Sequence, residues 1–144
     1  MKGLSIFSWF SYPLPLHKRL ELIKNAGFDA TALWWGDEFE DKNRQPEMTR
    51  RLGLEIDYVH APADNPNTLW LDNINGDSYL NLLLPYDGSI DWNRFKKKLK
   101  KCRDIPYLTL EVDFNRDHHK SLIYKDLSPA AFLSSAYQRL CQLL

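Results

Sequence analysis

The stretch Leu4 to Trp35, LSIFSWFSYPLPLHKRLELIKNAGFDATALWW, constrains the fold more than any other part of the chain. Leu4, Ile6, Phe7, Trp9 and Phe10 form a β-rich apolar run, closed by Ser11 and Pro13. Pro15 stands where a first helical turn tolerates a missing N–H. Leu16, Leu20 and Ile23 then recur at i, i+4 and i+7, Leu22 and Ala26 widen the apolar face, and Gly27 supplies a left-handed stop. Ala30 to Trp35 is a second apolar run of strand length. Strand, helix and strand with tight connections predict a βαβ unit with parallel strands and a right-handed crossover. Parallel strands are covered on both faces, which accounts for their nearly continuous apolar character.

The rest of the chain repeats the alternation. A polar, acidic loop follows Trp35. A short helix is predicted from about Gln45 to Leu52, with Pro46 in its first turn and Gly53 as its stop. Leu54 to His60 is a third strand in which Leu54, Ile56 and Tyr58 alternate with Glu55 and Asp57. That amphipathic pattern suits an edge, or a strand whose second face meets a wet cavity. Ala61 to Asn75 reads as a long loop and Gly76 to Leu84 as a helix. LPYDGS is a turn cluster. Asp91 is a good N-cap for a helix running to about Arg103, with a core stripe of Trp92, Phe95, Leu99 and Cys102. Its lysines (96, 97, 98, 100 and 101) read as a solvated face. Tyr107 to Val112 is a fourth strand and Asp113 to Leu127 a loop. Ser128 caps a last helix with Pro129 at its first position and Phe132, Ala136, Tyr137, Leu140 and Leu144 as its buried stripe. Strands alternating with helices in a chain of 144 residues predict a single α/β domain.

Composition narrows the function classes. Hydrophobic residues at 44% and charged residues at 26% are those of a soluble globular protein. A formal net charge of zero favours neither a nucleic-acid backbone nor an anionic membrane as partner. Cys102 and Cys141, on predicted helices and without metal-type spacing, read as reduced core thiols, which points to the cytoplasm. The N-terminal apolar run is broken by serines and Pro13 and lacks a small-residue cleavage site. Neither a signal peptide nor a membrane anchor is expected from it.

Several phrases carry a resemblance: the opening stretch through GDEF, then LGLEIDYVHAP, NTLWLDNINGDSYL, LLPYDGSIDW and YLTLEVDF. In this order they resemble the sugar phosphate isomerase/epimerase group of xylose-isomerase-like barrels, whose fold is shared with a class of AP endonucleases. Residues 1–84 resemble the barrel's N-terminal part and 85–144 its C-terminal part. Family barrels carry eight βα units in about 250 residues, so the resemblance implies that strands four to seven have no counterpart here. The implied fold is a half-barrel of four parallel βα units completed by a homodimer. The implied chemistry is isomerase or epimerase action on a sugar or sugar phosphate, with a divalent metal (Mn²⁺, Mg²⁺, Co²⁺ or Zn²⁺) orienting vicinal oxygens and a carboxylate moving the proton. Of the family's Glu, Asp, His and Glu ligands, only the last has a counterpart, Glu111.

Glu111, near the C-terminal end of an apolar strand, is thus the candidate catalytic residue and metal ligand, with a structural salt bridge as the alternative. His60, closing the third strand, is a candidate substrate contact or second ligand, or a hydrogen-bonded strand-end histidine. Trp34 and Trp35 are candidate sugar platforms, with at least one of the two in the core. Trp9 and Trp70 are weaker candidates for the same role, and Glu38 and Asp37 for substrate contact. His118 and His119, with Asp113 and Asp117, could chelate a metal, but adjacent histidines point apart and the cluster reads as an exposed loop. The alternative function is a non-catalytic oligomerising half-barrel or sugar-binding remnant. AP endonuclease chemistry would need a multi-zinc cluster and a basic groove, neither of which the sequence offers.

Overall fold

The computed structural model describes residues 2–34, 42–60, 83–88, 90–101, 105–112 and 124–144. The chain is α/β. Strands β1 (Gly3–Phe7), β2 (Ala30–Trp34), β3 (Glu55–His60) and β4 (Tyr107–Leu110) form one sheet in the order β3-β2-β1-β4, with every pair parallel. Helices α1 (Leu16–Ala26), α2 (Gln45–Arg51), α3 (Trp92–Leu99) and α4 (Pro129–Cys141) alternate with them.

The predicted βαβ unit forms as β1-α1-β2. Helix α1 follows Pro15, and Gly27 stops it at φ 104°, where its N–H caps the carbonyls of Ile23 and Lys24. Gly53, at φ 69°, sits in the turn after α2. The Asp91 carboxylate accepts the Arg94 N–H at 3.0 Å, and the Ser128 hydroxyl accepts that of Ala131 at 3.2 Å. Each cap satisfies an otherwise orphaned donor of the first turn. Leu4, Ile6 and Leu33 from the sheet join Leu20, Ile23, Phe132, Leu133 and Leu140 from α1 and α4 in one core.

Several expected boundaries shift. The first strand ends at Phe7 rather than Phe10, because the Ser8 carbonyl turns to Arg19 and its hydroxyl, not its carbonyl, takes the Trp34 N–H. Helix α3 stops at Leu99, and Leu83 and Leu84 are buried but not helical. In α4 the buried set is Phe132, Leu133, Ala136 and Leu140, with Tyr137 half-buried. Leu144 is 58% exposed and Leu143 takes its place, since the helix ends at Cys141 and its periodicity no longer holds. Cys141 is an exposed free thiol, not a core one, while Cys102 lies outside the described residues. Among the described residues no helix is long and apolar enough to cross a membrane.

The sheet is strongly curled. Four flat strands would hold β3 and β4 roughly 14 Å apart at about 4.8 Å per step. Yet Tyr107 of β4 donates its hydroxyl to the Glu55 carboxylate of β3, and Thr109 donates to Asp57. Side chains on the two edges therefore meet across the concave face. The register explains how. Gly3, Ser5 and Phe7 of β1 lie level with Tyr107, Thr109 and the position of Glu111, and Ser5 and Phe7 with Ala30 and Ala32 of β2. Gly3, Ser5 and Ala30 are small and leave a lane through which the longer edge side chains of the first two levels cross.

Candidate functional site

The C-terminal ends of the four strands gather the candidate residues that fall in described segments. Ser8 organises this end. Its N–H donates to the Ala32 carbonyl at 2.8 Å, its hydroxyl accepts the Trp34 N–H at 3.2 Å, and its carbonyl accepts from Arg19 Nη1 at 2.7 Å. One buried serine thus fixes where β1 and β2 end and how Trp34 leaves the sheet. The Trp34 ring is half-buried and stands edge-on to Phe7, with centroids 5.8 Å apart.

The Arg19 guanidinium lies beneath this level. It is 3% exposed, donates through Nε to the Leu14 carbonyl at 3.0 Å, and sits 5.0 Å from the Trp9 ring centroid. Burial lowers its pKa to about 10. Trp9 is therefore engaged by a cation from α1.

On the other side, β3 carries a bulge. Thr31 pairs with Ile56 but Leu33 with Val59, so β3 has one residue more than β2 over this span. The bulge re-aims the strand. Asp57, before it, is bound by Thr109, and Tyr58 follows within reach of Glu111. Burial first, then the charges of Glu111 and Asp57, push the Tyr58 phenol well above its ordinary range. Glu111 follows β4 directly, half-buried, with Oε2 closed off from solvent. Extending the register by one residue sets it level with Phe7. It continues the 107, 109, 111 alternation onto the concave face.

Two polar pairs thus cross the concave face from β4 to β3, Tyr107 with Glu55 and Thr109 with Asp57, and a third level is made by Glu111 at the β4 end, whose charge acts on the Tyr58 phenol of β3. At the first two levels β4 supplies a hydroxyl and β3 a carboxylate. At the third the roles reverse, and this level lies at the strand ends beside Trp34 and Phe7. Chemically it offers a shielded carboxylate, a phenol held protonated, and an indole with a partly open face. Those groups suit a polyol, whose hydroxyls need acceptors and whose C–H face stacks on an aromatic ring.

The backbone of His60 ends β3 level with Trp34; its side chain lies outside the described residues. Trp35, Asp37, Glu38, Trp70, Asp113, Asp117, His118 and His119 also lie outside them. Among the described residues no group of three or more His, Cys, Asp or Glu is placed to hold one, since Glu55 and Asp57 are engaged by hydroxyls and Glu111 is the remaining carboxylate of the face. Sequence reasoning missed Ser8, Tyr58 and Thr109. The shared alternation in Glu55/Asp57 and Tyr107/Thr109/Glu111 was the available signal, since polar residues at period two on two strands mark one polar face. The chain matches no family model, no curated protein and no solved structure with which it was compared.

Proposed function

We propose that this chain is a sugar- or sugar-phosphate-binding half-barrel of the isomerase/epimerase type, completed by a second copy. The observation that carries the reading is the third polar level: Glu111, shielded at the C-terminal end of a parallel strand, with Tyr58 and Trp34 around it. In parallel βα architectures that end is where ligands are held. Glu111 accepts hydrogen bonds from vicinal hydroxyls, and the Tyr58 phenol stays protonated and able to donate. Trp34 presents its ring to the apolar face of the sugar.

In the enzymatic form of this reading, an isomerisation, Glu111 takes the proton from the carbon beside a carbonyl and returns it to the former carbonyl carbon while a hydroxyl proton passes between the two oxygens. An epimerisation would need a second proton donor on the opposite face. A divalent metal would need ligands beyond those of the described residues, so no step here depends on one. Of the ligands that the resemblance implies only Glu111 has a counterpart in the sequence, which favours a second reading, a binding protein without turnover.

Calorimetric titration with aldoses, ketoses and their phosphates is the test. Binding that weakens at least tenfold in Trp34→Ala and in Glu111→Gln supports the site, a loss of about 1.4 kcal/mol or more. Binding unchanged in both variants, or none in the wild type, overturns it. Turnover with added Mn²⁺, Mg²⁺, Co²⁺ or Zn²⁺ that vanishes in Glu111→Gln would select the enzyme over the binding protein.

A further inference from the structure

The Thr109–Asp57 bond across the curled sheet is incompatible with the barrel that two copies would form. In a closed eight-stranded parallel barrel, strands three places apart have backbones roughly 14 Å apart. A threonine and an aspartate joined by a hydrogen bond span at most about 9 Å between Cα atoms. The Thr109–Asp57 bond therefore cannot persist within one chain once the sheet opens to that radius. The close approach of β2 and β4, which have Cα atoms within 8 Å of each other although β1 lies between them, marks the same tight curl.

The sheet's two outer strands nonetheless suit one another. β3 and β4 are the opposite edges of an all-parallel sheet, so the β3 edge of one copy can accept the β4 edge of another without reversing direction. The inner faces are complementary too. β3 carries Glu55 and Asp57, and β4 carries the hydroxyls of Tyr107 and Thr109 at the same spacing. Were β4 of one copy to lie beside β3 of another, the same acceptors and donors would be neighbours on adjacent strands, within ordinary cross-strand reach.

We propose that these two bonds exchange partners: in the monomer they close the curled sheet in cis, and in a two-chain barrel they form in trans between β4 of each copy and β3 of the other. The proposal rests on the half-barrel reading above and adds to it a switch between two states of the same bonds. Among the described residues no further strand pairs with either edge, and the proposed occupant is a second copy of this chain. The edges are covered only when the cis bonds have parted, so association demands uncurling and is slow relative to diffusion. It also moves the two Glu111 residues into one shared mouth.

Cysteine pairing separates the two states. In a Cys102→Ser/Cys141→Ser background, Asp57→Cys with Thr109→Cys in one chain reports the cis arrangement as a fast-migrating monomer on a non-reducing gel. Chains carrying either Asp57→Cys or Thr109→Cys alone, mixed and oxidised, report the trans arrangement as a covalent heterodimer. We expect the cis product to dominate at low micromolar concentration and the trans product to grow as concentration rises.

Light scattering on the unmodified chain should show monomer passing to dimer over the same range, which keeps the test valid if the cysteine variants fold poorly. A monomer at every concentration with no trans product overturns the exchange. A dimer at every concentration with no cis product also overturns it, while leaving the two-chain barrel standing. Sugar binding is measured separately, so either idea can fail alone.

Discussion

Gly3 is set by its neighbour rather than by its own backbone. A Cβ there would lie 2.3 Å from Asp29 Oδ2 and 2.7 Å from Asp29 Cβ. The carboxylate cannot simply swing away, because Oδ2 accepts the Leu4 N–H at 2.9 Å at the start of β1. Gly3→Ala should therefore cost about 1–3 kcal/mol, by overpacking and loss of that acceptor. In an Asp29→Gly background the same substitution should cost distinctly less. Equal costs in the two backgrounds by denaturant unfolding would place the strain elsewhere. Such a contact was illegible in the sequence, where Gly3 and Asp29 stand far apart. The same holds for Arg19: an arginine on the apolar stripe of a helix reads as a solvated flank until two backbone carbonyls and an indole are found around it.

The elements were more legible than the residues that join them. Asp91 and Ser128 identify helix starts because a short side-chain acceptor before an apolar stripe has one economical use there, and both make the expected bond. Ser128→Ala and Asp91→Ala should each lower stability by about 0.5–2 kcal/mol. Ser128→Asp, which keeps an acceptor and adds favourable charge at the helix start, should restore the first. Thermal unfolding of the three variants decides it. The β3 bulge, in contrast, has no local signature: an alternation read from Leu54 to Tyr58 carries Tyr58 to the core face, and only the shifted pairing with Leu33 reveals the extra residue. The anchoring of segment 83–88 was equally hidden. Tyr124 donates to Asp87 at 2.7 Å and accepts from Leu84 N–H at 2.9 Å, and Arg139 of α4 holds Asp87 and the Pro85 carbonyl. These partners are remote in sequence, and their residue types occur on any surface.

At the scale of the molecule, the α/β class and the parallel order follow from alternation alone, but curvature does not. It depends on which side chains cross the concave face, and that is visible in titration. Hydrogen bonding to Glu55 is the main cause of Tyr107 being pushed up to about 12. Because the folded value lies above the ordinary tyrosine value of about 10, the bond adds stability below pH 10 and loses it as pH rises from 10 towards 12. Difference absorbance of the phenolate between wild type and Tyr107→Phe should show this late ionisation. Glu55→Gln should bring it back towards 10, and a Tyr107 that ionises normally in the wild type would mean that the edges do not meet.

Ser5, Ala30 and Ala32 have no exposed surface and lie along the middle of the concave face. Their volume acts as a spacer for the whole sheet: the smaller these three side chains, the nearer the outer strands can be drawn and the narrower the aperture between Trp34 and Glu111. A larger side chain at position 32, beside Phe7, would hold the outer strands further apart. The width available to a ligand is thus written in the central strands, in residues that never meet it.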